Sequence, residues 1–167
     1  MVNDGRDRVG EDRPGEGRFA GSEHRFPVRV YFEDTDLSGV VYHANYLRFM
    51  ERARSDMLRL VGVDQRAAME AGGGAYAVAR LDIRYRAPAR LDDALLVVSR
   101  LRKVHAAHVV IHQTVMRDEA ILAEAEVVAA LVAPDGRPRR QPADWIAKFR
   151  ELVEPAGPIS GPIMGGA

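Results

Sequence analysis

VRVYFEDTDLSGVVYHANYLRFMERAR, residues 28–54, joins two kinds of periodicity across a polar loop. Val28-Arg29-Val30-Tyr31-Phe32 is rich in β-formers and partly alternating. Glu33-Asp34-Thr35-Asp36-Leu37-Ser38-Gly39 then breaks that pattern with turn-forming types. From Ala44 to about Val61 the apolar residues Tyr46, Met50, Ala53, Met57 and Val61 recur at steps of three and four, while Arg48, Arg52, Ser55 and Arg59 fall on other faces. This spacing predicts a strand, a polar loop and one long amphipathic helix that ends near Gly62.

Downstream the period changes to two. Between Tyr76 and Ala87 the odd positions Ala77, Ala79, Leu81, Ile83, Tyr85 and Ala87 are apolar and Arg80, Asp82, Arg84 and Arg86 alternate with them, which predicts a long half-exposed strand. Three further β-type runs follow at Leu95 to about Arg102, His108 to Met116 and Ile121 to Ala133, with Arg117-Asp118-Glu119 as the hairpin connection between the last two. A closing helix from Ala143 to Leu152 carries Trp145, Ile146, Phe149 and Leu152 at helical spacing. The order β, α, four β, α specifies an α+β fold, with the long helix packed on one face of an antiparallel sheet.

Residues 1–25 hold almost no large apolar side chains and are expected to be a disordered tail. Residues 154–167, punctuated by Pro and Gly, are expected to be irregular. The expected folded unit is therefore 26–153. Within the chain, 24 Lys and Arg balance 24 Asp and Glu, so no overall field recruits nucleic acid or an anionic membrane. Cysteine is absent, which excludes disulfides, thiolate catalysis and cysteine-ligated metal centres. The N-terminus has no signal-peptide core, and the run from Val127 to Ala133 is far shorter than the roughly 20 residues of a membrane span. A cytoplasmic protein without membrane insertion is the expectation.

Residues 28–54, together with Tyr85-Arg86-Ala87-Pro88-Ala89-Arg90-Leu91-Asp92-Asp93, closely resemble the 4-hydroxybenzoyl-CoA thioesterase family, above all its YbgC branch of Tol-Pal-associated acyl-CoA thioesterases. The resemblance continues more weakly to about residue 150. It implies a hotdog fold, hydrolysis of acyl-CoA, and a homodimer or homotetramer with the active site at the subunit boundary. Acyl carrier protein as an alternative carrier and a Tol-Pal association come with the same likeness. It further implies that the second Asp of the D-x-D pair, Asp36, is the catalytic carboxylate, and that the backbone amide of His43 polarises the thioester carbonyl. Gly39, Val40, Val41 and Tyr42 would then line the substrate, and Arg102 and Lys103 would contact the phosphates of coenzyme A. No cofactor and no metal is implied.

Elementary chemistry agrees with those roles and leaves part of them open. Thioester hydrolysis needs a nucleophile for the carbonyl carbon or a base for water, and a positioned carboxylate serves as either. A helix start offers unpaired N–H groups and a favourable dipole to the developing oxyanion. The bland reading of Asp34 and Asp36 is a pair of turn residues bonded to nearby amides. Glu51 on the helix is a second carboxylate of the kind some hotdog enzymes use, and its bland reading is an ion pair with Arg48 or Arg54. His108 and His112 stand about 13 Å apart if their segment is a strand, too far to share one metal ion. A hotdog dehydratase and a non-catalytic acyl-binding scaffold are the competing functions.

Overall fold

The computed structural model describes residues 15–153. The elements in chain order are β1 (Arg18–Ala20), β2 (Glu23–Arg29), a 3-10 turn (Phe32–Asp34), α1 (His43–Leu60), α2 (Gln65–Glu70), β3 (Ala75–Tyr85), β4 (Ala94–Val104), β5 (His108–Arg117), β6 (Ala120–Val132) and α3 (Ala143–Leu152). The six strands form one antiparallel sheet in the order β1-β2-β4-β5-β6-β3. Helix α1 lies on its inner face, the hotdog arrangement implied by the resemblance.

The helix stripe works as its spacing requires. Tyr46, Phe49, Met50, Ala53 and Met57 are buried, and burying one large apolar side chain is worth about 1.5–3 kcal/mol. The N-terminal half of α1 packs with Val28, Val30, Leu95, Val97, Val115 and Leu122 in one cluster. Its C-terminal half packs with Leu101, Ile111, Leu131 and the Trp145 and Phe149 of α3 in another. Between them, Gln113 donates to the Met50 carbonyl at 3.0 Å and to Ser99 at 2.9 Å, and it accepts from Arg54 at 2.7 Å.

Four expectations need correction. Residues 15–25 are not a tail throughout, because β1 and the start of β2 form a hairpin closed by Gly21 at φ 62°. Phe19 packs on the second core cluster, and His24 is buried with its Nε2 2.8 Å from Asp56 of α1, contacts that offset the ordering entropy. Residues 1–14 and 154–167 lie outside the described residues. The strand expected over Val28–Phe32 also stops at Arg29, since the Asp34 carboxylate accepts the Tyr31 amide at 2.8 Å and folds Phe32–Asp34 into a turn. A short helix, α2, is added; its Asp64 side chain caps the Ala67 amide at 3.0 Å. Finally, a bulge between Val78 and Arg80 interrupts the alternation of β3. Tyr76 and Val78 therefore face inward beside Leu131 and Ala129, and only from Leu81 onward do the odd positions Leu81, Ile83 and Tyr85 do so.

Candidate active site

The segment between β2 and α1 is a small lobe with its own ladder. Thr35 bridges Val41 and Val40 bridges Arg90, while the Asp36 amide donates to the Val40 carbonyl at 2.9 Å. The Gly39 amide closes the turn on the Asp36 carbonyl at 3.0 Å, with Gly39 at φ 75°. A side chain there would meet open space, so the left-handed backbone, and not a close approach, requires glycine.

The two carboxylates of the D-x-D pair have different tasks. Asp34 is buried, its Oδ1 accepts from Asn45 Nδ2 of α1 at 2.9 Å, and its carbonyl accepts the Tyr42 amide at 2.8 Å. It ties loop to helix. Asp36 is exposed, and its Oδ1 accepts from both the amide of Ser38, at 2.8 Å, and the Ser38 hydroxyl. Those two bonds, the hydroxyl first, hold the Asp36 carboxyl below the usual carboxylate range, so it stands ionised at neutral pH.

The start of α1 supplies the complementary charge. The Val41, Tyr42 and Asn45 amides are taken by Ala89, Asp34 and Tyr42 carbonyls. The amides of His43 and Ala44 have no acceptor among the described residues, and the helix dipole adds partial positive charge at that point. The His43 ring lies 4.5 Å from the Tyr42 ring, and the Tyr85 hydroxyl donates to the His43 carbonyl at 2.8 Å. Val41, His43, Tyr46 and Tyr85 line a cleft of about 320 Å³ with the Arg86–Pro88 segment as its far wall. Ala89 braces this wall, donating to Tyr46 Oη at 2.9 Å and accepting from Val41 at 2.8 Å. Tyr85 and Asn45 were not singled out by sequence reasoning. Strand alternation marks Tyr85 only as an inward residue, and nothing local shows that Asn45 meets Asp34.

Asp36, Gly39, Val40, Val41, Tyr42 and His43 thus come together. Arg102 and Lys103 do not join them in the same chain. They sit at the far end of β4, about 26–30 Å from Ala94 by strand rise, whereas the Asp36 lobe packs beside Arg90 and Asp93. Glu51 takes its bland role, paired with Arg54 and 3.3 Å from the Ser55 hydroxyl. His112 pairs with Glu124 at 2.9 Å on strand β5, and the His105 and His108 rings stack at 4.3 Å.

Similarity to known proteins covers the same span. The family model described as "Thioesterase-like superfamily" matches residues 30–152. The "Acyl-CoA thioester hydrolase YbgC" of Escherichia coli O6:H1 is 43% identical over 129 residues, covering 76% of this chain and 96% of that protein. The "Acyl-CoA thioesterase YbgC" of Haemophilus influenzae is 45% identical over 107 residues, covering 64% of this chain and 79% of that one. Among solved structures, the "Probable Thioesterase from Bartonella henselae" superposes with a TM-score of 0.68 at 38% identity, covering 72% of this chain and 99% of its own. From the strand that enters the Asp36 lobe to the final helix, therefore, this chain belongs to the thioesterase-like superfamily and is a thioester hydrolase.

Proposed function

We propose that the protein hydrolyses acyl-coenzyme A to free acid and coenzyme A, with Asp36 as the catalytic carboxylate. The observation that carries this reading is the pairing of an exposed, ionised Asp36 with unsatisfied amides at the start of α1, across one short lobe. In this reading the thioester carbonyl lies in the cleft beside His43. The His43 amide polarises it, and the carboxylate either attacks the carbonyl carbon or removes a proton from the attacking water. Negative charge developing on the carbonyl oxygen is met by the helix start, and the coenzyme A thiolate leaves; after direct attack, water then opens the acyl–Asp36 anhydride, which releases the acid and restores the carboxylate. Asp36→Asn tests the assignment: the folded variant should lose nearly all acyl-CoA hydrolysis, and near-wild-type turnover would sink it.

The working unit in this reading is a homodimer, alone or doubled to a homotetramer. Strand β3 ends the sheet, and Val78 and Tyr85 on it are half exposed, an open edge of the kind proteins pair or cover. Joining two such edges antiparallel sets the far end of one protomer beside the lobe of the other, which would carry Arg102 and Lys103 toward the second copy's site. Coenzyme A and acyl carrier protein remain the two carriers this scheme accommodates. Acyl-CoA is an intracellular metabolite, so the place of action is the cytoplasm, where a Tol-Pal association would have to form at the inner face of the envelope.

A further inference from the structure

Tyr85, the last residue of β3, reaches from the sheet edge to the start of α1. Its ring stands edge-on to the His43 ring at 6.4 Å and to the Tyr46 ring at 5.4 Å, and its hydroxyl donates to the His43 carbonyl at 2.8 Å. Tyr46 is itself fixed, since it is buried and accepts the Ala89 amide at 2.9 Å. Three contacts therefore hold one side chain against the first residue of the helix.

The His43 carbonyl does not need that bond to be satisfied. Helix geometry already gives it the Leu47 amide, and Tyr85, 46% exposed, could give its hydroxyl to water instead. The hydroxyl takes the second lone pair of an acceptor that is already paired. The consequence falls on the other end of the same peptide group. The His43 carbonyl shares a plane with the Ala44 amide, and that amide, like the His43 amide, has no acceptor among the described residues. A donor on the carbonyl oxygen fixes the plane and draws electron density toward oxygen, which makes the Ala44 N–H a stronger donor.

We infer that Tyr85 is a positioning residue for the hydrolysis: its hydroxyl orients and polarises the His43–Ala44 peptide, so that the Ala44 amide joins the His43 amide in holding the developing oxyanion. This rests on the acyl-CoA thioesterase reading above, which uses the His43 amide alone. One oxyanion donor supplies about 10²–10³ in rate, and a neighbouring bond strengthens a hydrogen bond by about 10–30%. Polarisation of the Ala44 amide is then worth about two- to eightfold, and loss of the fixed orientation adds to it.

Tyr85→Phe should therefore lower kcat on acyl-CoA by about tenfold and leave KM within about twofold, because the bond strengthens most as charge develops on the oxygen. Wild-type kcat, or a loss confined to KM, would overturn the inference. The pH profile separates donation from packing. Burial, and then the neighbouring Tyr46, push the Tyr85 phenol above its ordinary value, so it donates throughout the neutral range. Site-specific 3,5-difluorotyrosine at position 85 keeps the ring but loses its proton at lower pH. Its kcat should fall as pH rises through that lowered value while wild type stays level, and matching profiles would overturn the role of the hydroxyl. Ala44→lactate replaces the amide N–H by an ester oxygen and closes a double-mutant cycle. If Tyr85 acts through this peptide, adding Tyr85→Phe to Ala44→lactate should cost less than twofold more, whereas full additivity would overturn the assignment to the Ala44 amide. Wild-type protein without acyl-CoA hydrolysis, or a fully active Asp36→Asn variant, would instead overturn the thioesterase reading on which the inference rests.

Discussion

Asp34→Asn and Asp36→Asn change the same group two residues apart and should damage different things. Asp34 accepts two hydrogen bonds in a buried setting, from the Tyr31 amide at 2.8 Å and from Asn45 Nδ2 at 2.9 Å. An asparagine keeps the shape but carries one oxygen, so its NH₂ must face one of those two donors. A hydrogen bond to a charged group contributes about 1.5–3 kcal/mol, and a buried donor left unpaired costs about 1–3 kcal/mol. Water reaches the exposed Tyr31 and softens the second cost. The net loss should be about 2–4 kcal/mol, a large share of the roughly 5–15 kcal/mol that stabilises a typical domain. At roughly 3–4 °C per kcal/mol for a domain of this size, Tm should fall by about 6–16 °C. Asp36 is exposed and bonds only within its own turn, so Asp36→Asn should leave Tm within about 2 °C while hydrolysis is lost. Calorimetry at equal protein concentration, with acyl-CoA turnover on the same samples, gives both readouts. An Asp34→Asn protein as stable as wild type, or an Asp36→Asn protein destabilised as much as Asp34→Asn, would refute the division of labour.

Three further outcomes are expected. His43→Ala should keep much of the rate and His43→Pro should not, because proline is tolerated in the first turn of a helix yet lacks the donor, a loss of about 10²–10³ in other enzymes; equal damage in both would assign the function to the imidazole. Asp36 must be ionised to act, so activity falls as pH drops through its lowered value, and Ser38→Ala should move that acidic limb of kcat/KM upward toward the ordinary carboxylate range. Burial pushes the His24 imidazole below its ordinary 6.5, against the opposing effect of Asp56. The unfolded chain therefore takes up that proton first as pH falls, and stability should decline from about pH 6.5 downward. His24→Gln should flatten this slope in denaturation curves between about pH 7 and 5, and an unchanged slope would place the titrating group elsewhere.

Local periodicity was enough to locate the long helix, the four later strands and the closing helix, because each buries one face and that face repeats at 3.6 or 2 residues. The D-x-D lobe was equally legible, since turn-forming residues between a strand and a helix admit few conformations and the motif itself matches a family. Tertiary contacts decided the rest. The N-terminal hairpin forms because His24 finds Asp56 thirty-two residues away, a partner that no window over residues 15–25 contains. Asp34 and Asp36 look alike in the sequence, and tertiary contact with Asn45 makes the first a structural tie while the second stays exposed. The bulge at Ala79 reverses which side of β3 faces inward, a choice made by pairing with β6. Arg102 and Lys103 show the limit most plainly: the family resemblance implies that they contact phosphate, but a strand carries them to the opposite end of the sheet from Asp36 in the same chain, a separation no local pattern reveals.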